Sequence, residues 1–540
     1  KNNITAAVFV KFGNTTEVPE TVKNPVRIIP ADQTAQQAYH TLIHLDIDYA
    51  PVGESSGLIN GYVRREELEK AARHGFSHHK VTEFISESFS SNSENGSRDT
   101  DVIKGVLSNI KPVFSNIRSK LESNLPADVA RIIRIASRTA AEMNIAAYCV
   151  GGMVRDILKD VKHQDIDFVV EKKADEFAGK LSQHLNGHMN LHEEFQTAVI
   201  KLEYREIDIA TLRKEYYEFP AALPKIEQGT LHQDLYRRDF TINAMALQIS
   251  PLENYGTLID YFSSRDDLES KKLRILYPLS FVEDPTRIFR AIRFEKRFDL
   301  TITDDTLKHL KKTVEMDIHS QLTNDRVKEE LILILMENRT AEILHRLDEL
   351  NVLGCIHPEL EITSEIYDLI AGYAGLSEEL TGTSQYLWKF TKNWKILILL
   401  LFSGLTIENG CMVLGEFNFS KQLISNYRIA RSYSGRIIKV LSKDISDARV
   451  YKILYKLKEE VIFYIICVNH DAGVRKKIIK YLNELQNIKP RTDGNELKKM
   501  GYTPGPDFSR ILFTLKLAKI NGNVSDSLDD ESRFINDFFL

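Results

Sequence analysis

Three acids and a pair of glycines carry the first chemical signal in this chain. In "DIDFVV", Asp165 and Asp167 alternate with Ile166 and Phe168 in a run of strand composition. Successive side chains of a strand face opposite ways, so both carboxylates share a face and the apolar pair turns towards a core. Two adjacent carboxylates repel, and a cation between them relieves the repulsion. Mg²⁺ takes hard oxygen ligands and binds through one or two carboxylates together with substrate phosphates. An edge strand presenting acids to water gives the same pattern, so the triplet needs company. Just upstream, "VGGMVRD" places Gly151 and Gly152 between a strand-like end, Cys149-Val150, and a helix start. A Gly-Gly turn lets backbone N–H groups approach a phosphate closely. Arg155 follows within the first helical turn, where it can pair with the same phosphate. An ordinary tight turn also explains two glycines. Strand, Gly-Gly, helix start with Arg, then an acid pair on the next strand is a far more specific order.

If the pair serves two-metal phosphoryl or nucleotidyl transfer, a third acid is expected, because two metals need more than two carboxylates. "REIDIATLR" supplies Asp208, on the opposite face from Ile207 and Ile209, with Glu206 sharing its face as the rival.

The elements that must position these groups belong to a chain of 540 residues, more than one core usually needs, so roughly three to five domains are expected. With 43% hydrophobic and 27% charged residues the composition is that of a globular protein, and the net charge of -5 argues against a histone-like binder while leaving room for a local basic face. The cysteines Cys149, Cys355, Cys411 and Cys467 have no pair at metal-ligand spacing, which suits a reducing cytosol and speaks against zinc. "ILILLLF", Ile396 to Phe402, is too short to span a bilayer and reads as a buried helix, so no membrane association is expected. The start at Lys1 rather than Met fits a chain trimmed of an upstream segment. Short strands and one helix fill residues 1 to about 87, and "SESFSSNSENGSRDTD", Ser86 to Asp101, has linker composition. Strands alternate with helices to about 260, and beyond about 280 the pattern is almost wholly helical.

Three segments in order, "GGMVRDILKDVKHQDIDFVV", "YRRDFTINAMA" and "EDPTRIFRAIRF", resemble the class II tRNA nucleotidyltransferase and bacterial poly(A) polymerase family. "EYYEFPAALPKIEQ" and "GNELKKMGYTPGPDFSRIL" also look like this family, most of all its A-adding and poly(A) polymerase-like members. The resemblance implies addition of C and A to the tRNA 3′ end without a nucleic-acid template, with Mg²⁺ as cofactor and tRNA, ATP and CTP as partners. It implies that Asp165 and Asp167 hold the metal, that Asp208 falls at the third acid, and that Gly151, Gly152 and Arg155 meet the incoming triphosphate. Arg238 and Asp239 of "RRDF" would lie near the sugar, where an Arg and an Asp suit a 2′-hydroxyl that both donates and accepts. A structural ion pair at a helix start is the rival for that pair.

"EDPTRIFRAIRF" suggests how side chains choose a base. Asp284 and Arg287 are expected three apart on one helix, sharing a face. A carboxylate accepts from the exocyclic amine that C and A both carry, and a guanidinium donates to their ring acceptors, whereas U mismatches both. Arg290 and Arg293 continue the stripe towards triphosphate or RNA backbone. "LTNDRVKEELILIL", Leu322 to Leu335, resembles the family's last motif and is expected to support the pocket from beneath.

The expected architecture is a multidomain α+β chain: a CBS-like α/β module at 1–87, a linker with connecting helix at 88–124, a nucleotidyltransferase (polymerase beta-like) α/β head at 125–260, an all-α neck at 261–355, and an all-α body and tail at 356–540. "PVRIIPADQTAQQA", "YAPV" and "GLINGYVRREEL" resemble a single CBS module, a kind of unit that usually pairs, which makes a homodimer through it an expectation. Arg64 and Glu67 stand where such modules carry the Thr or Ser and the Asp that bind adenosine compounds, so nucleotide sensing is not expected. Some A-adding relatives carry a DHH-type phosphoesterase domain ahead of CBS modules. In the tail, "KFTKNWK", "SNYRIARSYSGRIIKV" and "VRKKIIKYLNELQNIKPR" interleave basic and aromatic residues as an RNA face does, with Arg428, Arg431 and Arg436 marking the middle patch and Tyr427 and Tyr433 among them. The leading reading is a cytoplasmic tRNA nucleotidyltransferase, A-adding or CCA-adding. The alternative is a poly(A) polymerase tailing general RNA, and a non-catalytic RNA-binding relative is disfavoured by the presence of all three acids.

Overall fold

The computed structural model of the chain describes residues 28–54, 59–85, 87–88, 112–123, 125–161, 165–192, 197–381 and 393–539. Most of the expected linker, residues 162–164 of the first motif and residues 389–392 of "KFTKNWK" lie outside the described residues. Two compact units form, residues 1–322 and 323–540, and their boundary falls inside the segment expected as the neck.

The first unit opens with a small sheet, β1 (Ile29–Pro30), β2 (Tyr49–Gly53), β3 (Ile59–Arg64) and β4 (Glu87–Ser88), in that spatial order. β1 runs parallel to β2, and the remaining neighbours are antiparallel. The helix Ala35–Leu45 starts at a capping box in which Thr34 and Gln37 satisfy each other's backbone N–H groups. Its residues Ala35, Ala38 and Leu42 recur at helical spacing and are buried. The helix Arg65–Arg73 leaves β3 without a loop, the strand-into-charged-helix order expected from "GLINGYVRREEL".

A second sheet carries the glycines and acids. Its strands are β5 (Val113–Asn116), β6 (Ala147–Val150), β7 (Ile166–Val170), β8 (His188–His192), β9 (Thr197–Lys201), β10 (Glu206–Thr211), β13 (Met245–Ser250) and β14 (Thr257–Asp260); β11 (Arg213–Tyr216) and β12 (Lys225–Gln228) form a separate hairpin. The order across the eight strands is β5-β14-β13-β6-β7-β10-β9-β8. β7 and β10 pair in parallel, which sets Asp167 beside Asp208. The helix Ala127–Glu142 buries Val129, Ile132, Ile133, Ala136 and Ala140 at i, i+3, i+4 spacing and lies against β13 and against the helix Ala174–Leu185.

One expected element differs. Asp284 and Arg287 do not share a helix: Asp284 closes the short helix Ser280–Glu283 with φ −135° and ψ 89°, and the next helix is Thr286–Arg297. Pro285 is the cause, because the ring of a proline pushes the residue before it out of the α region. The break turns the Asp284 carboxylate onto the new helix start, where Oδ1 accepts from the Thr286 backbone N–H at 3.1 Å and hydroxyl at 2.5 Å.

The second unit contains helices and no strand among its described residues. Ile396 to Leu401 are all buried within the helix Trp394–Leu401, as the apolar run suggested. No described helix is long and apolar enough to cross a membrane. The helix Lys421–Leu441 carries the middle basic patch. Arg428 and Arg436 are exposed and Tyr433 is 49% exposed, but Tyr427 is fully buried and donates to the Phe402 carbonyl at 2.9 Å. Tyr427 is therefore core and not part of an RNA face. Helical spacing explains the reversal, since Leu423, Asn426, Tyr427 and Ala430 form the buried stripe of that helix.

Candidate active site

The acids sit where the alternation of β7 and β10 puts them. Ile166 and Phe168 are 0% and 1% exposed, while Asp165 lies exposed just before β7 and Asp167 is half-buried between them. On β10, Ile207 and Ile209 are buried and Asp208 is exposed. Glu206 stands opposite Lys201 on β9 and pairs with it at 3.0 Å, whereas Asp208 stands opposite Asp167 on β7. Asp208, rather than Glu206, is thus the acid of β10 in register with Asp167. Partial burial raises the Asp208 pKa, and the negative charges of Glu206 and Asp165 push the same way. Among the described residues no group of three or more His, Cys, Asp or Glu side chains is placed to hold a metal ion. The carboxylates of Asp165 and Asp167 are a two-oxygen-donor set, which suits a hard cation completing its shell with phosphate and water.

Gly151 joins this acidic edge to the next motif. Its φ is +69°, a conformation that glycine adopts without strain, and it precedes the helix Gly152–Leu158. A Cβ at Gly151 would meet Arg238 Nη1 at 2.9 Å and Asp167 Oδ2 at 3.6 Å. The turn, an arginine and an acid of the pair therefore meet at one point. Arg238 is held by Asp234 Oδ2 at 3.0 Å, one turn earlier, and Asp234 also binds Arg237 at 2.8 Å. Burial works against the charge on Asp234, but the two arginines outweigh it and lower its pKa.

A buried chain of polar contacts ties the three motifs together. Arg155 Nη1 donates to Asn243 Oδ1 at 2.7 Å, and Asn243 Nδ2 donates to Asp239 Oδ1 at 3.0 Å. Asp239 Oδ2 accepts a bidentate pair from Arg290, Nε at 3.0 Å and Nη2 at 2.5 Å. Burial alone would raise the Asp239 pKa; Arg290, Asn243 and the Phe240 N–H overcome it and hold the carboxyl at about 2. Arg155 also pairs with Asp156 at 2.8 Å and lies 4.1 Å from the Phe298 ring centre.

Arg287 is 4% exposed and held on three sides. Nη1 donates to the Tyr277 hydroxyl at 3.0 Å and to Ser280 Oγ at 2.6 Å, and Nη2 donates to the Arg237 carbonyl at 2.8 Å. Its Nε lies 3.8 Å from Asp284 Oδ2, so the two residues converge although the helix breaks between them. Arg293 is buried on the same helix, 5.1 Å from the Phe294 ring centre.

Asp234, Asn243, Tyr277 and Ser280 were not singled out from the sequence. Asp234 stands four before Arg238 and Asn243 four after Asp239, spacings that signal contact on a helical turn. Nothing local points to Tyr277 or Ser280.

Known proteins resemble this chain. Residues 147–274 match the model of the poly A polymerase head domain. The A-adding tRNA nucleotidyltransferase of Geobacter sulfurreducens is 30% identical over 95% of this chain and 63% of that protein. The A-adding enzyme of Aquifex aeolicus is 36% identical over 66% of this chain and 43% of that protein. The chain thus spans less than two thirds of the length of these relatives. Among solved structures, a tRNA-processing enzyme with CTP is 31% identical, with a TM-score of 0.59 over 72% of this chain and 100% of that one. The Thermotoga maritima CCA-adding enzyme complexed with tRNA is 28% identical, with a TM-score of 0.61 over 79% of this chain and 99% of that one.

Proposed function

The chain belongs to the class II tRNA nucleotidyltransferase and bacterial poly(A) polymerase family, and on that premise we propose that it adds A, C or both to the 3′ end of tRNA, taking nucleotides from ATP and CTP without a nucleic-acid template. The observation that carries the reading is the meeting of Asp167, Gly151 and Arg238, with Asp208 in register beside Asp167. Acids for a cation and a cation-bearing turn for a triphosphate converge there, as transfer of a nucleotidyl group requires. The A-adding relatives, one of them matched over 95% of this chain, favour addition of the final A.

In this reading Asp165 and Asp167 hold Mg²⁺, and Asp208 adds a third carboxylate to the patch. The metal, when bound, lowers the pKa of the RNA 3′-hydroxyl and neutralises charge on the α-phosphate. The Gly151-Gly152 turn offers backbone N–H groups to the triphosphate, and Arg155 lends positive charge from behind that turn. Arg238 and Asp239 lie towards the ribose, Arg238 anchored by Asp234 and Asp239 by Arg290. Asp284 accepts from the exocyclic amine of A or C and Arg287 donates to a ring acceptor. UTP offers a carbonyl and an N–H in their place, so both contacts fail. Arg290 and Arg293 add positive charge along the helix Thr286–Arg297, and the exposed Arg428 and Arg436 belong to the tRNA-binding face. The partners are tRNA, ATP and CTP, with a homodimer through the N-terminal CBS-like module as a further part of the proposal, read out by light scattering.

The test offers ATP and CTP with three RNAs: tRNA ending before CCA, tRNA ending in CC, and an unrelated RNA. A single A added to the CC-ended tRNA alone marks an A-adding enzyme, and full repair of the first substrate marks a CCA-adding one. Long A tails on the unrelated RNA would overturn the tRNA reading in favour of a poly(A) polymerase.

A further inference from the structure

The N-terminal module touches the first unit's catalytic half through an unusual set of groups. Arg64 and Glu67 of that module are 5% and 0% exposed. The Arg64 guanidinium lies 5.0 Å from the ring centre of Tyr236, the residue that opens "YRRDF", and also faces Tyr49 and Tyr62 at 5.6 and 5.9 Å. The Tyr236 hydroxyl donates to Glu67. One turn further along the helix Arg65–Arg73, Lys70 Nζ lies 3.9 Å from the ring centre of Tyr277 and 3.9 Å from Glu283 Oε2. His74 Nε2 lies 3.4 Å from Glu283 Oε1.

Glu283 is the residue before Asp284, and it is 2% exposed. Burial opposes its charge, yet Lys70 and hydrogen bonds from His74 and Tyr277 hold its carboxyl at about 2, so it stays ionised. The Tyr277 hydroxyl thus donates to Glu283 and accepts from Arg287 Nη1 at 3.0 Å. A continuous line of contacts runs from Lys70 and His74 through Glu283 and Tyr277 to Arg287. A carboxylate this deeply buried needs its partners, and both the Lys70 ammonium and the His74 imidazole come from the N-terminal module.

We propose that the N-terminal module sets the geometry of base choice, with Lys70 and His74 as positioning residues that fix Glu283, and through it Asp284 and, by way of Tyr277, Arg287. This rests on the reading that Asp284 and Arg287 choose the base. Shifts near an ångström at positioning groups cost up to about a hundredfold in rate, and they cost most where geometry discriminates.

The experiment measures kcat/KM for ATP, CTP and UTP on tRNA ending in CC, in the full chain and in Lys70→Met, Lys70→Arg, Tyr277→Phe and Asp284→Ala. Thermal unfolding confirms that each variant is folded, and Tyr277→Phe, which keeps the buried ring, serves if Lys70→Met is not. Lys70→Met and Tyr277→Phe should each lower the ratio of correct to UTP incorporation by about tenfold, with most of the change in discrimination and less in the turnover of ATP. Lys70→Arg should restore the ratio. A ratio unchanged in Lys70→Met and Tyr277→Phe but collapsed in Asp284→Ala would overturn the positioning role and leave the base-reading assignment standing. A ratio unchanged in all of them would overturn both. A ratio that falls in Lys70→Met but not in Asp284→Ala would overturn base reading by Asp284 and with it the proposed route.

Discussion

Replacing Asp239 with Asn tests the polar chain that joins the three motifs. Asp239 Oδ2 takes both Nε and Nη2 of Arg290, and Oδ1 takes Asn243 and the Phe240 N–H. Its pKa falls from the ordinary 3.8 to about 2. At about 1.36 kcal/mol per unit, that shift corresponds to roughly 2–3 kcal/mol favouring the charged form in the fold. Asp239→Asn should cost about that much at pH 7, because Arg290 is 33% exposed and regains water when its partner loses charge. The sign follows from the direction: a carboxyl held low stabilises the fold above its ordinary value and ceases to as pH falls towards about 2. The deficit of Asp239→Asn should therefore be full at pH 7, shrink below about pH 4 and be nearly gone near pH 2. Glu283 also titrates near there, but it is present in both proteins and cancels in the difference. Urea unfolding followed by far-ultraviolet circular dichroism suits the measurement, since the sequence has only two tryptophans, Trp388 and Trp394, and both follow residue 322. With a urea slope of about 3 kcal/mol/M, the midpoint should fall by roughly 0.7–1 M at pH 7. Equal midpoints at pH 7, or a deficit that stays constant on acidification, would refute the assignment of this carboxylate as the hub.

Three further outcomes are expected. Gly151→Ala forces a Cβ at φ +69° to within 2.9 Å of Arg238 Nη1; it should cost about 1–2 kcal/mol in stability and raise KM for the nucleotide, and an unchanged KM would contradict the turn's role. Glu206→Gln removes one of the charges that raise the Asp208 pKa, so the acid limb of the pH–rate profile should move to lower pH, and a move to higher pH would contradict the placement of Asp208. Tyr427→Phe deletes the hydroxyl that donates to the Phe402 carbonyl and should lower stability by about 1 kcal/mol with tRNA affinity unchanged; weakened tRNA binding at full stability would return Tyr427 to an RNA face.

The acids were legible because they depend on local rules. Alternation along a strand decided which way Asp165, Asp167 and Asp208 face relative to Ile166, Phe168, Ile207 and Ile209, and burial follows that alternation. Which of Asp208 and Glu206 stands beside Asp167 was not legible, since both share a face; it depends on pairing with β7, a contact 41 positions away in the Asp208–Asp167 register. Asp284 misled because helical spacing was applied across Pro285, whose ring breaks the helix at the residue before it. Tyr427 misled because an aromatic among arginines reads equally as a stacking platform or as the buried stripe of an amphipathic helix. The contacts of the N-terminal module could not be read at all: Glu67 meets Tyr236 across 169 positions and His74 meets Glu283 across 209, and no local pattern encodes such a meeting.

The most direct measurement of the central claim compares the full chain with Asp165→Ala and Asp167→Ala, using labelled ATP and CTP on tRNA ending before CCA and in CC. The account predicts nucleotide incorporation by the unaltered chain with Mg²⁺, none above background by either variant, and tRNA affinity retained in both. Normal incorporation by either variant would contradict the assignment of these carboxylates to the nucleotidyl-transfer site.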